Sequence, residues 1–456
     1  TDKELPSTDI SLYSLRPYTQ KPDTSTNRIN QYPLAIANGI LSRRFGILAK
    51  EEGSLILSGS ASRSAYFNMI EQGGIEVIPT EGKWKEAVPI LEQELRKAVQ
   101  FGFTEEELKE VKANLINGAE EAVKRKDTRR SDGIAMQFIG AIGERNVFTT
   151  PETDLELVKS ALGKITTEDC QKAFNEFWDT KDISLVLTTP TAPASAAQEL
   201  KKIFLKSGAA EVTPPTEKAL TPFAYTNFGK PGTVVQETKI EDLDATQLML
   251  SNNIRVNYKQ TDFQKNSISI KARFGSGQLS QPSGISGLDR FATPTPAAGG
   301  LGQHSADDLQ RLLAGKNVSV GFGVGEGSFS LSGRTTPEDL ELQLQLMCAY
   351  LTDPGFRPEG ERMFKMALPM LYNQLEHSMQ GAMIKVASHM HGGDFRFGFP
   401  AQETAMSFDN EMVKEWVMPS FKDAPLELTL VGDLDPALAL PLIQKTFGAL
   451  PERKTA

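Results

Sequence analysis

The chain has 456 residues, enough for two large or three average domains whose cores need no covalent staples. Hydrophobic residues make up 39% and charged residues 23%, which excludes a disordered polyelectrolyte, and no apolar run approaches the ~20 residues that span a bilayer. Lysine and arginine number 49 against 58 acidic residues, and the formal net charge of −9 argues against a nucleic-acid platform.

Two cysteines, Cys170 and Cys348, make no disulfide framework. Four histidines (His304, His377, His389, His391) leave little material for an imidazole metal site. The chain opens on Thr1 and the polar Asp2-Lys3-Glu4, with no visible signal peptide, as in a mature or excised sequence.

In chain order, Asp9–Leu15 alternates as a strand, and Ile29–Phe45 reads as a helix after a Pro/Thr/Ser stretch. Strands are predicted at 54–60 and 74–79, and a helix at 84–101 that closes on Gly102. Thr104 and Glu107 form a capping-box pattern opening the next helix, which is predicted to run through the charged stretch Glu120–Arg130 as a solvated face. Helix at 152–178, a strand at Ile183–Leu187 and a short helix at 196–206 follow. From Lys206 to Glu237, Thr213-Pro-Pro-Thr, Thr221-Pro and Gly229-Lys-Pro-Gly break all periodicity. That stretch reads as a linker. Beyond it, strands are predicted within 248–258 and 267–274, helices near 284–292 and 305–314, and strands near 317–323 and 327–333. Helices near 337–352 and 358–377, the strand Leu426–Val431 and a last helix at 436–447 complete the reading.

The two halves repeat. Gly74–Phe103 lies on Gly327–Phe356 without a gap, Thr167–Leu187 lies on Asn410–Leu430, and Ile10-Ser-Leu12 lies on Ile268-Ser-Ile270. Three matches in one order predict a duplicated α+β domain, each copy an antiparallel-rich mixed sheet packed with helices on one side. The expected boundaries are 1–209, a linker at 210–237, and 238–456.

Asn38-Gly-Ile-Leu-Ser-Arg-Arg-Phe45 and Gly102-Phe-Thr-Glu-Glu-Glu-Leu108 resemble the even-numbered domains of the pitrilysin-like zinc metallopeptidases, the inverzincin family. Gly299-Gly-Leu-Gly-Gln-His-Ser305, Pro354-Gly-Phe356 and Val431-Gly-Asp433 resemble its third domain in bacterial members. The family's chemistry rests on His-x-x-Glu-His, two histidines on one helix face holding zinc and a glutamate activating water. No such motif occurs here. The corresponding context reads Gly287-Leu-Asp-Arg-Phe-Ala-Thr-Pro294, with Arg290 and Pro294 at the histidine positions and Thr293 at the glutamate position. Guanidinium and proline offer zinc no ligand, and threonine is no general base near neutral pH.

The resemblance therefore implies domains two and three of a longer bacterial peptidase, with zinc held in a first domain upstream of Thr1 and a fourth domain beyond Ala456. This chain would supply chamber wall, substrate-binding surface and hinge, with a peptide substrate and the remaining domains as partners. No catalytic, cofactor or metal residue is expected in it, and it is expected to be inactive alone. A stand-alone scaffold or peptide-binding protein of the same fold is the alternative, and an unrelated α+β enzyme a third. The resemblance also implies the bacterial periplasm. The acidic net charge points weakly to basic peptides.

Three other patterns carry weaker signals. Gly321-Phe-Gly-Val-Gly-Glu-Gly327 has phosphate-loop spacing, but Ser328-Phe-Ser-Leu-Ser continues as strand where a nucleotide loop needs a helix, so a glycine-rich hairpin is expected. His389-Met-His391, with His377 and Asp394, reads as surface rather than a metal pair. Ser58-Gly-Ser-Ala-Ser and Ser283-Gly-Ile-Ser-Gly read as turns, since no nucleophile elbow is present.

Overall fold

The computed structural model describes residues 5, 7–178, 183–191, 194–216 and 219–455. Asp2-Lys3-Glu4, positions 179–182 inside the Thr167–Leu187 match, and positions 217–218 of the expected linker lie outside the described residues. The chain forms two compact units, the first built mainly from residues up to Ala219 and the second mainly from Leu220 onward.

From Asp9 to Ser207 the elements are β1 (Asp9–Pro17), α1 (Ser25–Ile29), α2 (Tyr32–Leu48), β2 (Ile56–Tyr66), β3 (Ile70–Pro79), α3 (Trp84–Phe101) and α4 (Glu105–Lys124), then α5 (Ser131–Glu144), α6 (Pro151–Leu162), α7 (Thr167–Trp178), β4 (Ile183–Thr188) and α8 (Ala196–Ser207). Strand order is β2-β3-β1-β4, antiparallel throughout. Alternate residues of β1 and β3 (Ile10, Leu12, Ile75, Val77) are buried with Ile36 and Ile40 of α2, Val88 and Leu91 of α3, and Phe174 of α7. On α3 the buried positions Ala87, Val88, Leu91, Leu95 and Ala98 form one stripe, which is why this helix occupies the predicted span. It ends at Gly102, whose φ of 69° and a would-be Cβ only 2.8 Å from Gln171 Cδ leave room for glycine alone.

The Thr104–Glu107 capping box is formed: Thr104 N–H donates to Glu107 Oε2 at 2.8 Å and Glu107 N–H to Thr104 Oγ1 at 3.3 Å. Glu107 does more than cap. Arg44 of α2 reaches it through Nε at 2.7 Å and Nη2 at 2.8 Å, and also donates to Gly102 O at 3.0 Å. Two of the family-like stretches, 38–45 and 102–108, are thus locked to each other by one guanidinium.

Two helices are shorter than the sequence reading. The one predicted through Arg130 stops at Lys124, because positions 124–130 hold no apolar residue to anchor another turn. The one predicted over 152–178 divides at 163–166, where Gly163 closes α6 and a second capping box, Thr166 N–H to Asp169 Oδ2 at 2.8 Å, opens α7.

From Val234 onward the elements are β5 (Val234–Ile240), β6 (Ala245–Leu250), β7 (Arg255–Gln260), β8 (Ile268–Phe274), α9 (Leu288–Ala292), α10 (Thr295–Ala298), α11 (Ala306–Leu312), β9 (Gly321–Val324) and β10 (Phe329–Thr335). There follow α12 (Leu340–Thr352), α13 (Pro358–Glu376), α14 (Met379–Met390), α15 (Gln402–Met406), α16 (Asn410–Asp423), β11 (Leu426–Gly432) and α17 (Pro436–Lys445). β5 starts inside the stretch read as linker. The sheet order is β5-β6-β7-β11-β8-β10-β9, with only β7 and β11 parallel.

Its last four strands reproduce the first sheet: β9-β10-β8-β11 follows β2-β3-β1-β4, with helices in matching places. The fold is α+β and duplicated. The ungapped match of 74–103 with 327–356 holds in the helix, where buried Ala87, Leu91, Leu95 and Ala98 fall on buried Leu340, Leu344, Cys348 and Leu351. It slips by one residue in the strand, where buried Ile75 and Val77 fall on Ser328 and Ser330 beside the buried Phe329 and Leu331.

β8 alternates strictly: Ile268, Ile270, Ala272 and Phe274 are buried, while Ser269, Lys271 and Arg273 are exposed. Each sheet therefore has one face under helices and one open face. A second repeated feature is an uncovered apolar helix. α5 buries no residue and exposes Met136, Phe138, Ile139 and Ile142, and its counterpart α14 exposes Met379, Met383, Val386 and Met390.

Candidate functional site

The degenerate metal context begins at Gly287, whose φ is 79° and whose would-be Cβ lies 2.4 Å from Pro400 Cδ. α9 then turns Leu288, Phe291 and Ala292 into the core, each fully buried. Arg290 points outward and its guanidinium lies 5.0 Å from the centre of the Phe399 ring. Thr293 donates its hydroxyl to Asp289 O at 2.7 Å. Pro294 has no N–H to continue the ladder, so α9 ends after five residues and α10 restarts at Thr295. The Thr295 hydroxyl donates to Phe291 O. A helix that could present two ligands one turn apart is broken at the second of them.

The donor set does not fit zinc. Asp289 is the nearest carboxylate in the sequence: Gln278 Nε2 donates to its Oδ2 at 3.0 Å and its Oδ1 has no partner. Burial pushes its pKa up, opposed by the Arg290 charge. Among the described residues no group of three or more His, Cys, Asp or Glu side chains is placed to hold a metal ion.

The other candidates resolve into structure. Gly321–Gly327 is the β9–β10 hairpin, with Val324 opposite Phe329 and strand on both sides. His389 sits in the last turn of α14, and the His391 ring stacks on Phe397 with centroids 4.0 Å apart. His377 bonds Asn373 O through Nδ1 at 2.8 Å. Cys170 and Cys348 are buried free thiols, and burial pushes Cys170 up to about 12, so neither is a ready nucleophile.

The loop Gly299–Ser305 owes its shape to a residue that sequence reasoning passed over. Arg357 Nη1 donates to Gly299 O at 2.7 Å, to Leu301 O, and to His304 O at 3.1 Å, while Nη2 reaches Gly302 O at 2.8 Å. The loop in turn anchors Phe223-Ala-Tyr225 from the predicted linker. Ala224 N–H donates to His304 Nε2 at 3.0 Å, Phe223 stacks on the same ring, and the Tyr225 hydroxyl donates to Asp353. His304, a buried ring 1% exposed, is thereby a strut.

The open face of the second sheet was also missed. Its cross-strand registers place Arg255, Glu427, Arg273 and Ser330 in one row, Asn257, Thr429, Lys271 and Ser332 in the next, and Lys259, Val431, Ser269 and Arg334 in a third. Five cations face one carboxylate, Glu427, which accepts from Asn257 Nδ2. A groove of about 740 Å³ runs along the Arg255–Arg273 row, floored by Glu427 and bounded by the Gly325–Ser328 turn. The alternation Ile-Ser-Ile-Lys-Ala-Arg-Phe of β8 carried the signal.

The open face of the first sheet is unlike it. β1 and β3 place Asp9, Ser11, Tyr13 and Glu76 there, and the exposed residues of β2 add Ser58, Ser60 and Ser62. Burial raises the Glu76 pKa, and Asp9 raises it further. A carboxyl whose folded value is raised binds its proton more tightly in the native state, so its contribution is most favourable at low pH and is lost as pH rises through the folded value. Glu76→Gln is accordingly expected to raise the melting temperature at pH 7. The gain should shrink as pH falls toward the ordinary 4.5, a trend that parallel melts will measure.

No family model matches the chain. The probable zinc protease PqqL of Escherichia coli is 25% identical over 354 residues, which cover 75% of this chain and 37% of that protein. The ferredoxin protease FusC, solved with Arabidopsis ferredoxin, superposes over 100% of this chain and 51% of its own with a TM-score of 0.61 at 15% identity. Pitrilysin covers 99% of this chain and 48% of its own with a TM-score of 0.51 at 13% identity. Its fold is pitrilysin-like. The chain spans 35–37% of the length of the curated zinc-protease relatives it matches. Among its described residues no helix is long and apolar enough to cross a membrane.

Proposed function

We propose that this chain is a non-catalytic portion of a zinc endopeptidase, corresponding to its second domain (1–209), a linker (210–237) and its third domain (238–456), and that it holds polypeptide substrate on the open sheet faces. The observation that carries the reading is the retained fold with Arg290, Thr293 and Pro294 where zinc chemistry needs two ligands and a base. Zinc would reside in another domain of the parent protein. The uncovered apolar faces of α5 and α14 support further domains packing there, since exposed stripes of this kind mark interaction surfaces. FusC acts on ferredoxin; for this chain only the class, a polypeptide, is carried over. A periplasmic setting, that of the Escherichia coli protease PqqL, is part of the proposal.

The test is direct. Purified chain with added zinc should bind a fluorescent unfolded peptide and leave it intact. Zinc-dependent cleavage by pure material overturns the non-catalytic reading, and absence of any peptide binding overturns the substrate-holding one in favour of a scaffold.

A further inference from the structure

The second sheet's open face is basic in a chain whose formal net charge is −9. Arg255 and Arg273 flank Glu427 across neighbouring strands, Lys271 and Lys259 lie in the next rows, and Arg334 closes the third. Lys271, Arg273 and Arg334 make no salt bridge with a described carboxylate, and all three are exposed. Glu427, between the two arginines, is already engaged by Asn257, and Glu326 of the β9–β10 turn lines the same groove. Excess positive charge on a flat surface repels itself, so an unneutralised array of this kind lowers its energy by taking an anionic partner. The first sheet's open face carries Asp9 and Glu76 at equivalent depth, so basic character is not a property of the repeat.

Resting on the proposed substrate-holding role, we infer that the open face formed by β7, β11, β8 and β10 selects acidic, extended segments of the polypeptide. The row spacing supports this occupant. Ser330, Ser332 and Thr429 sit among the cations as hydrogen-bonding groups for a peptide backbone. At the β9 end of the rows, Gly323 and Gly321 present bare main chain, which lets another backbone approach closely. The inference runs opposite to the weak sequence-level expectation of basic peptides: net charge is a sum over the molecule, whereas a ligand feels the charges within a Debye length of ~8 Å.

Three peptides of equal length, acidic, neutral and basic, titrated against the chain by fluorescence anisotropy, test the inference. The acidic peptide should bind tightest, and its affinity should fall with added sodium chloride. The K271S/R273S/R334S variant should weaken it about tenfold, since each partly screened contact contributes modestly. K271E/R273E/R334E should reverse the order and favour the basic peptide. The variant K201S/K202S/K206S removes the same charge from exposed positions on α8 and should bind the acidic peptide as the parent chain does. Equal binding of all three peptides, or an equal loss in the α8 variant, overturns the selectivity while the substrate-holding role stands. Failure of every peptide to bind removes that role itself. Displacement of the acidic peptide by a single-stranded oligonucleotide at lower concentration overturns the choice of polypeptide as occupant.

Discussion

Replacing Arg44 with alanine is expected to destabilise the first unit by about 3–5 kcal/mol, a large part of the roughly 5–15 kcal/mol that holds a domain folded. The Arg44 side chain is 8% exposed and its partner Glu107 23%, and the pair is bidentate. Removing the guanidinium strands a mostly buried carboxylate and deprives Gly102 O of its donor at the end of α3. It also removes the cation 5.3 Å from the Phe103 ring centre. Urea unfolding followed by tryptophan fluorescence reads the effect, since Trp84 and Trp178 both lie in this unit's core. The double variant R44M/E107M should recover part of the loss, because no charge is then left buried without a partner. A loss below ~1 kcal/mol for R44A would make this an ordinary surface pair and remove it as the lock between α2 and α4.

Arg357→Ala should destabilise the second unit by about 1–3 kcal/mol, the cost of a buried acceptor left bare, with a more local signature. One guanidinium donates to four carbonyls of the Gly299–His304 loop; Leu301 O and His304 O keep each other's backbone N–H as donors, whereas Gly299 O loses its side-chain donor. Hydrogen exchange should rise first at 299–305 and then at 223–225, because Phe223 and Tyr225 are anchored on that loop. Arg357→Lys should not rescue it: one ammonium cannot span acceptors that a planar fork reaches simultaneously. Unchanged exchange at 223–225 would show that the Phe223–Tyr225 segment is held by other contacts.

Much of the architecture was legible in the residues because it is local or periodic. Thr104 and Glu107 announce a helix start three residues apart, and the bonds are made. The alternation of 268–274 and the stripe of 84–101 declare strand and helix before any partner is known. The substitutions Arg290, Thr293 and Pro294 speak for themselves, since ligand chemistry belongs to a side chain wherever it sits. Element ends were harder. The overrun past Lys124 came from reading helix propensity in a charged run that no core holds down.

The sequence alone determined that the chain is a repeated α+β architecture and that its zinc-like segment carries no zinc-binding chemistry, because hydrophobic period and donor identity are properties of short stretches. Only the tertiary structure decided which side chains meet. Arg255, Arg273 and Lys271 come from β7 and β8, and strand β11, far along the chain, slots between them with its single carboxylate. Arg357 finds four carbonyls more than fifty residues away in sequence. Charge that sums to an acidic total in one dimension is sorted by pairing register into a basic face in three, and no one-dimensional count carries that sorting.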